Sequence, residues 1–181
     1  MKTPDEKPEY MTILSGSRLV PKTHERIAFR GMIDILEAEV IEAQVLAAQT
    51  NEEDFRVYLG EVLDYLRAVM AAEVKETQLA PPQLFGMDAE EIHKRSHNAG
   101  GKLLQFPSYT QGPLPARINT LRAKVREAEL LAVRVFGPKE DGAAAERNDI
   151  ILAMNRLSSA LWWLFCEYNR RKEIRRNDSG E

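Results

Sequence analysis

Three charged side chains recur along one side of a helical segment in the second half of the chain. Arg122, Arg126 and Glu129 stand four and then three residues apart, which places them on a stripe that flanks the apolar face of the helix. Guanidinium groups bind phosphate oxygens through paired hydrogen bonds. Cations at the rim of a core suit a polyanion site, although Arg–Glu pairs are also ordinary decoration of helix surfaces. The stripe therefore indicates a candidate anion site with a structural alternative.

A second helical segment, NDIILAMNRLSSALWWLF, carries polar groups inside an otherwise apolar run. Asn155, Arg156, Ser158 and Ser159 interrupt it. A helix that is apolar on nearly all sides must be covered on nearly all sides, and a small bundle buries only one face. We therefore expect this helix to approach a subunit interface, with its polar residues near that boundary.

Other residues that could do chemistry are isolated along the chain. Asp34 lies on the stripe predicted to face the core of the first helix, where an ion pair with Lys22 or an arginine and a ligand-positioning or metal-facing role are both open. His93 and His97 stand four apart and could share a metal, but no acidic third ligand follows nearby, which favours a structural or pocket-lining role. Cys166 is the only cysteine, which excludes an intrachain disulfide and favours a buried thiol.

A Gly- and Pro-rich loop over residues 98–114 separates these motifs from the first half of the chain. Loops of this length are uncommon in compact domains and are often functional. Phe106 and Tyr109 within it could close over a ligand or simply anchor the loop. Together with Trp162 and Trp163, they are candidates for an apolar wall.

Helical periodicity and breakers predict an all-α fold, a bundle of four long helices and one short helix. The predicted ranges are 24–49, 52–75, 88–97, 115–136 and 147–172. Thr23, Asn51 and Asp88 are the predicted N-caps. In the first helix the predicted inward stripe contains Ile27, Gly31, Ala38, Ile41 and Val45.

The core faces predicted for the other long helices follow the same spacing. They comprise Phe55, Leu59, Val62, Leu66 and Val69, then Ile118, Leu121, Val125, Ala128, Ala132 and Val135, then Ile150, Ala153, Met154, Leu157, Leu161, Leu164 and Tyr168.

Length and charge limit the organisation and the partners. The 181 residues fit one domain, predicted over 13–172 with a loose start at 1–12 and a polar tail at 173–181. A net charge of −3 gives no support to bulk binding of nucleic acid or membrane, so any anion site must be a local cation cluster. Without an apolar signal region or a run long enough to span a bilayer, the expected compartment is the cytoplasm.

Four segments in this order resemble the cobalamin adenosyltransferases, most closely the ethanolamine-utilisation type: RLVPKTHERIAFRGMIDIL, LAPPQLFGMDAEEIHKRSH, LRAKVREAE and DIILAMNRLSS. The resemblance implies a ferritin-like-style helical bundle and a homotrimer with active sites between subunits. It also implies transfer of the adenosyl group of ATP, accompanied by Mg²⁺, to the Co(I) of reduced cobalamin. Whether the protein associates with a bacterial microcompartment is left open.

The family resemblance assigns roles to several residues. Arg122, Arg126 and Glu129 would be catalytic, and ATP would also be bound by Lys22, Asp34 and Asn155. Phe106, Tyr109 and Trp162 are the candidates for contacting the corrinoid.

The chain departs from the family pattern at its amino-terminal part. A Thr-Gly-Asp phosphate-binding stretch is absent, although Ser15, Gly16 and Ser17 could still offer donors. Ser159 stands where an Asp is often found, and Leu130 where an Arg is often found. The Cys-rich extension of many ethanolamine-type members is also missing, so we predict no structural transition metal.

Two alternatives to catalysis remain. The missing phosphate stretch favours a protein that binds, delivers or senses adenosylcobalamin without turnover. A purely structural helical oligomer is the third possibility, and it leaves the Arg and Asn residues unexplained.

Overall fold

The computed structural model describes residues 7–99, 106–138 and 144–178. Its elements in chain order are β1 (Met11–Ser15), β2 (Arg18–Pro21), α1 (Glu25–Gln49), α2 (Glu53–Val74), α3 (Ala89–Asn98), a 3₁₀ turn (Tyr109–Gln111), α4 (Pro113–Phe136) and α5 (Asn148–Asp178). The predicted helical bundle of four long helices and one short helix is confirmed. The predicted domain limits stay predictions, although α5 continues as a helix through Asp178, six residues beyond its predicted end.

The bundle is built by four long helices that pack in a ring. α1 lies against α2 and α4, α4 lies against α5, and α5 contacts α2, while the short α3 lies across α5. All the core residues predicted for α2, α4 and α5 are buried. Their spacing of three and four residues places each predicted set on one face of its helix, and that face packs in the core.

The predicted inward face of α1 is wrong. The buried residues are Phe29, Ile33, Leu36, Val40, Ala43 and Ala47, which lie on the opposite side of the helix from the predicted stripe. On the predicted stripe, Gly31, Asp34 and Ala38 are exposed, and Ile41 and Val45 are 45% and 52% exposed. Both stripes have helical period, and the one with Phe29 and Leu36 faces the core because it buries larger apolar side chains.

A β-hairpin occupies the amino-terminal segment, where a loose start and a connector were predicted. β1 and β2 are antiparallel, Ile13 pairs with Leu19, and the turn between Ser15 and Arg18 includes Gly16 with φ of 52°. Glycine at the first turn position suits such a two-residue hairpin. Alternation buries Leu14 and Val20 and leaves Ile13 and Leu19 exposed.

A buried ion cluster fastens this hairpin to the bundle. Glu73 near the end of α2 is fully buried and accepts from Arg26 Nε at 2.5 Å and from Arg30 Nε. Arg30 also donates from Nη2 to the main-chain oxygen of Leu14 at 2.7 Å. Because Glu73 fixes the guanidinium that holds β1, the carboxylate connects α1, α2 and the hairpin.

Two of the three predicted N-caps are wrong. His24, not Thr23, caps α1, and its Nδ1 accepts from the Arg26 N–H at 3.2 Å. Glu52 precedes α2 without a side-chain cap bond, while Asn51 has a φ of 57°. The Asp88 cap of α3 is confirmed, because its carboxylate accepts from two N–H groups of the first turn.

The extra apolar width of α5 is covered partly within the chain. Trp163 stacks on Phe85 with ring centroids 5.5 Å apart, and Trp162 stacks on Phe165 at 5.4 Å. The segment before α3 and α3 itself therefore cover surface that the sequence assigned to a neighbouring subunit. The outer stripe of α1 also carries exposed apolar side chains, Ile35, Ile41 and Val45.

Candidate active site

A cavity of about 490 Å³ opens between α3, α4 and α5 and contains both arginines of the predicted stripe. Each of the three helices and the loop before α4 contributes to its wall. The lining residues are Ser96, His97, Phe106, Pro107, Arg122, Arg126, Ser158, Ser159 and Trp162. Arginines, hydroxyls and aromatic rings thus meet in one place, which is suited to an anion attached to an apolar group.

Arg122 is held at the back of this cavity. Its Nε donates to Asn119 Oδ1 at 3.1 Å, and its guanidinium carbon lies 5.6 Å from the centroid of the Trp162 ring. Partial burial, and then the charge of Arg126, lower the pKa of the Arg122 guanidinium. The group remains a cation at neutral pH, and the repulsion that lowers its pKa is relieved by a bound anion.

Behind the cavity, a polar chain joins α4 to α5. Asn155 Nδ2 donates to Glu129 Oε1 at 2.7 Å, and Asn155 Oδ1 accepts from Arg156 Nη1. The predicted partners Glu129 and Asn155 are therefore brought together. Glu129 is linked to Arg156 only indirectly, through the amide of Asn155.

The guanidinium groups of Arg126 and Arg156 both have N–H donors that could bind a ligand. Within the described ranges, no residue forms a hydrogen bond or ion pair with Arg126, and the buried Nε of Arg156 has no hydrogen-bond partner there. A buried donor without a partner costs roughly 1–3 kcal/mol. A ligand that accepts hydrogen bonds at this position would offset that cost.

The other predicted site residues lie apart from the cavity or at its edge. Lys22 and Asp34 are exposed and do not line it, and Asp34 is on the outer face of α1. Tyr109, in the 3₁₀ turn, is 90% exposed and also outside the lining. Phe106 and Trp162 do line the cavity, although Phe106 is 74% exposed and contacts little of the bundle.

Three further residues belong to this region but were not assigned to the site from the sequence. Arg156 was noted only as one of the polar residues that interrupt the apolar run of α5, and His97 as a possible metal partner of His93 or a pocket-lining residue. Ser96, almost wholly buried, gave no signal, since one serine in a polar helix has no distinctive spacing. The His-x-x-x-His spacing was the sequence feature that indicated the exposed side of α3, where His93 and His97 lie.

A larger cavity of about 620 Å³ lies on the other side of α3, next to Trp163 and Cys166. Its charges are largely paired, since Glu91 bonds Arg95 and Glu167 bonds Arg170. Partial burial raises the pKa of the Cys166 thiol to about 11. Because its ions already have partners, this cavity is the weaker candidate for an anion site.

Metal ligands and membrane spans were searched over the same described ranges. No group of three or more His, Cys, Asp or Glu side chains is close enough there to hold a metal ion. His93 and His97 have ring centroids 4.4 Å apart, so they form a pair without a third ligand of those types. None of the helices there has the length and apolar character needed to cross a bilayer.

Comparison with known proteins identifies the family of the chain. The cobalamin adenosyltransferase family profile matches residues 4–168, nearly the whole chain. The chain belongs to the cobalamin adenosyltransferase family. Similar proteins include the corrinoid adenosyltransferases EutT of Salmonella typhimurium and of Escherichia coli K12, each 31% identical over 160 residues.

These alignments cover 87% of the chain but 58% of each relative. The chain thus spans less than two thirds of the length of these relatives. The family and the resemblance to EutT-type proteins are therefore established over the bundle, which contains the cavity described above.

Proposed function

We propose that this protein is an ATP:corrinoid adenosyltransferase. In this reaction the electron pair of cobalt(I) forms a bond to the 5′ carbon of ATP, and the bond from that carbon to oxygen breaks. The electron pair of the broken bond leaves on the oxygen of triphosphate. The observation that carries the proposal is the cavity in which Arg122 and Arg126 stand beside the aromatic ring of Trp162.

The protein's part in this chemistry is to bind, orient and stabilise charge, because the nucleophile belongs to the corrinoid. Arg122 and Arg126 bind the triphosphate and stabilise the negative charge that it gains as it leaves. Arg156, fixed by Asn155 and Glu129, has a free buried Nε and supplies a third guanidinium. The rest of the rate acceleration comes from holding the cobalt and the 5′ carbon of ATP in line for the transfer.

The cavity walls suit the other substrate groups. Trp162 and Phe106 provide an apolar surface that excludes water from the corrinoid. No carboxylate of the described residues lines the cavity, so we expect Mg²⁺ to be held by phosphate oxygens and water rather than by a protein cage. At the amino terminus, the hairpin turn offers the main-chain N–H groups of Gly16 and Ser17 as donors for ATP.

We further infer that the active unit is a homotrimer with sites between subunits. The support is the outer face of α1, where Ile35, Ile41 and Val45 are exposed in a stripe that a neighbouring copy would cover. Asp34 is exposed at the amino-terminal end of that stripe. Docking of this face would bring Asp34 and Lys22 towards a neighbour's cationic cavity, which accounts for their distance from the cavity within one chain.

A reducing compartment fits the chemistry. The single cysteine is free, and reduced cobalamin survives only where oxidants are scarce. We therefore propose a cytoplasmic location.

The test follows the corrinoid spectrum after purified protein is mixed with ATP and chemically reduced cobalamin. Arg126→Ala is expected to lower kcat/KM by about ten- to a hundredfold, since a hydrogen bond to a charged group contributes roughly 1.5–3 kcal/mol. Its stability should change by less than about 0.5 kcal/mol, because the side chain is exposed.

Arg134→Ala is the matched control, an exposed arginine near the end of the same helix. It should leave kcat/KM unchanged. ATP binding without turnover in the wild type would indicate the non-catalytic binding protein. No affinity for either substrate would indicate a structural oligomer, and either result would refute the enzyme assignment.

A further inference from the structure

We propose that His97 is an additional phosphate-binding residue of this cavity and that it binds triphosphate as an imidazolium. The inference rests on the proposed function and extends it, because it adds to the fixed arginines a ligand group whose charge depends on pH. His97 lines the same cavity as Arg122 and Arg126 but projects from a different helix, α3.

The orientation of the His97 ring is fixed by a main-chain contact. Its Nδ1 lies 2.8 Å from the carbonyl oxygen of His93, one turn earlier in α3. A carbonyl oxygen only accepts, so Nδ1 carries the hydrogen in this contact. Nε2 takes no part in this contact. It is an acceptor in the neutral ring and a second donor in the imidazolium. The exposed ring, anchored through Nδ1, therefore has one nitrogen, Nε2, whose protonation can change when a ligand binds.

The charges around the ring determine which form binds a ligand. On α3 the neighbouring imidazole is His93, whose pKa is lowered by desolvation, then by Arg156 and His97. From α4 the cations that line the cavity are Arg122 and Arg126, and from α5 the charge of Arg156 acts on the neighbouring His93. Among the residues that the structure describes, no carboxylate lines the cavity, and Glu129 is bonded to Asn155. The described charged side chains that line the cavity beside His97 are Arg122 and Arg126.

Bound triphosphate would place several negative charges between the guanidiniums and the His97 ring, which favours the imidazolium form. A free imidazole titrates near pH 6.5, so binding of a polyanion near neutral pH should be accompanied by uptake of a proton. By linkage, lowering the pH should strengthen triphosphate binding through this residue.

Inorganic tripolyphosphate is the probe, because it tests the anion site without the corrinoid or the transfer reaction. Calorimetric affinities are measured for the full chain at about pH 8 and about pH 6, for the wild type and His97→Gln. We expect the wild type to bind about tenfold more tightly than His97→Gln at the lower pH, corresponding to one charge-assisted contact, and the difference to shrink at the higher pH. Comparing the two proteins at the same pH cancels the protonation of tripolyphosphate itself.

The chain has three histidines, so its imidazole nitrogens can be assigned individually by NMR. At about pH 8, His97 should show the tautomer protonated at Nδ1. Near neutral pH, tripolyphosphate should shift both His97 nitrogens towards imidazolium values, while His24, which caps α1, should not move. His93→Gln keeps the carbonyl that orients His97 and should retain the pH-dependent affinity difference.

Three outcomes would overturn the proposal: equal affinities of wild type and His97→Gln at both pH values, no change in the His97 nitrogens on saturation, or a change caused by cobalamin and not by tripolyphosphate. The last outcome would assign His97 to the corrinoid side. Failure of the proposed function is seen separately, since tripolyphosphate binding with normal His97 protonation but no adenosylcobalamin formation would refute only the enzyme assignment.

Discussion

Replacing Asn155 by alanine should damage the cavity more than the bundle. The amide of Asn155 donates to Glu129 at 2.7 Å and accepts from Arg156, so the substitution leaves two charged groups without their shared partner. Hydrogen bonds to charged groups contribute roughly 1.5–3 kcal/mol each. Since Arg156 would then lose its fixed position, we expect kcat/KM for ATP to fall by about ten- to a hundredfold.

The stability cost of this substitution should be smaller than the sum of the two bonds, because Asn155 is only half-buried and water can replace its amide. A loss of about 1–2 kcal/mol would lower Tm by about 2–8 °C for a chain of this length. Tm and initial rates are measured at one protein concentration, since assembly would make Tm concentration-dependent.

Asn169→Ala is the matched control. Asn169 is a buried asparagine on the same helix, and its amide donates to the Phe165 carbonyl at 2.9 Å, away from the cavity. It should lower Tm similarly while leaving the KM for ATP unchanged. If Asn155→Ala lowers Tm but alters the rate no more than Asn169→Ala does, the Glu129–Asn155–Arg156 chain is only structural.

Three further perturbations test other parts of the structure. Glu73→Gln should destabilise the protein by about 3–5 kcal/mol, because it removes a fully buried charge that pairs two arginines. Glu76→Gln should cost far less, and thermal unfolding measures both variants. A Tm change within about 2 °C for Glu73→Gln would contradict the role of the ion cluster. The hydrogen bond from Lys124 holds the pKa of Glu39 below its ordinary value, so its stabilisation is present above the unfolded-state pKa of about 4.3 and is lost as pH falls through the lower folded-state value. Urea midpoints from about pH 7 to about pH 3 should therefore fall less for Glu39→Gln than for the wild type, and parallel curves would exclude this linkage. Ile41→Asp, on the outer face of α1, should dissociate the proposed trimer, which light scattering would show as a lower mass, without loss of helical circular dichroism. An unchanged mass would remove that face from the proposed interface.

The agreement between sequence and structure follows the strength of the local signal. The predicted core residues of α4 and α5 recur at spacings of three and four along each helix, so they could be predicted from spacing alone. α1 has apolar residues on two opposite faces, and spacing cannot tell which of them packs in the core and which is left for a partner. The choice depends on side-chain volume, since Phe29 and Leu36 bury more area than Gly31 and Ala38.

The hairpin and the polar chain behind the cavity illustrate a second limit. The two strands are only five and four residues long, and the second ends at Pro21, so the alternation of apolar and polar residues is too short to predict them. Gly16–Ser17, between Ile13 and Leu19, did indicate a turn. What holds the hairpin is Arg30, whose partner Glu73 lies 43 residues away along the chain. Sequence spacing within one helix does not indicate contacts of that kind.

The candidate site divides in the same way. Arg122 and Arg126 on a common stripe were predictable, because both belong to one helix of regular geometry. The link from Glu129 through Asn155 to Arg156 requires the register between α4 and α5, which spacing within either helix leaves undefined. The position of His97 requires α3 to pack across α5, and this packing is a tertiary feature that its sequence does not encode locally.

The most direct test of adenosyl transfer is a single-turnover measurement with ATP and cob(I)alamin. Adenosylcobalamin is followed by its absorbance, and released phosphates are separated by anion-exchange chromatography. Attack at the 5′ carbon predicts one equivalent of intact triphosphate for each adenosylcobalamin formed. Phosphate or pyrophosphate release without formation of the cobalt–carbon bond would contradict the assignment of this cavity as an adenosyltransferase site.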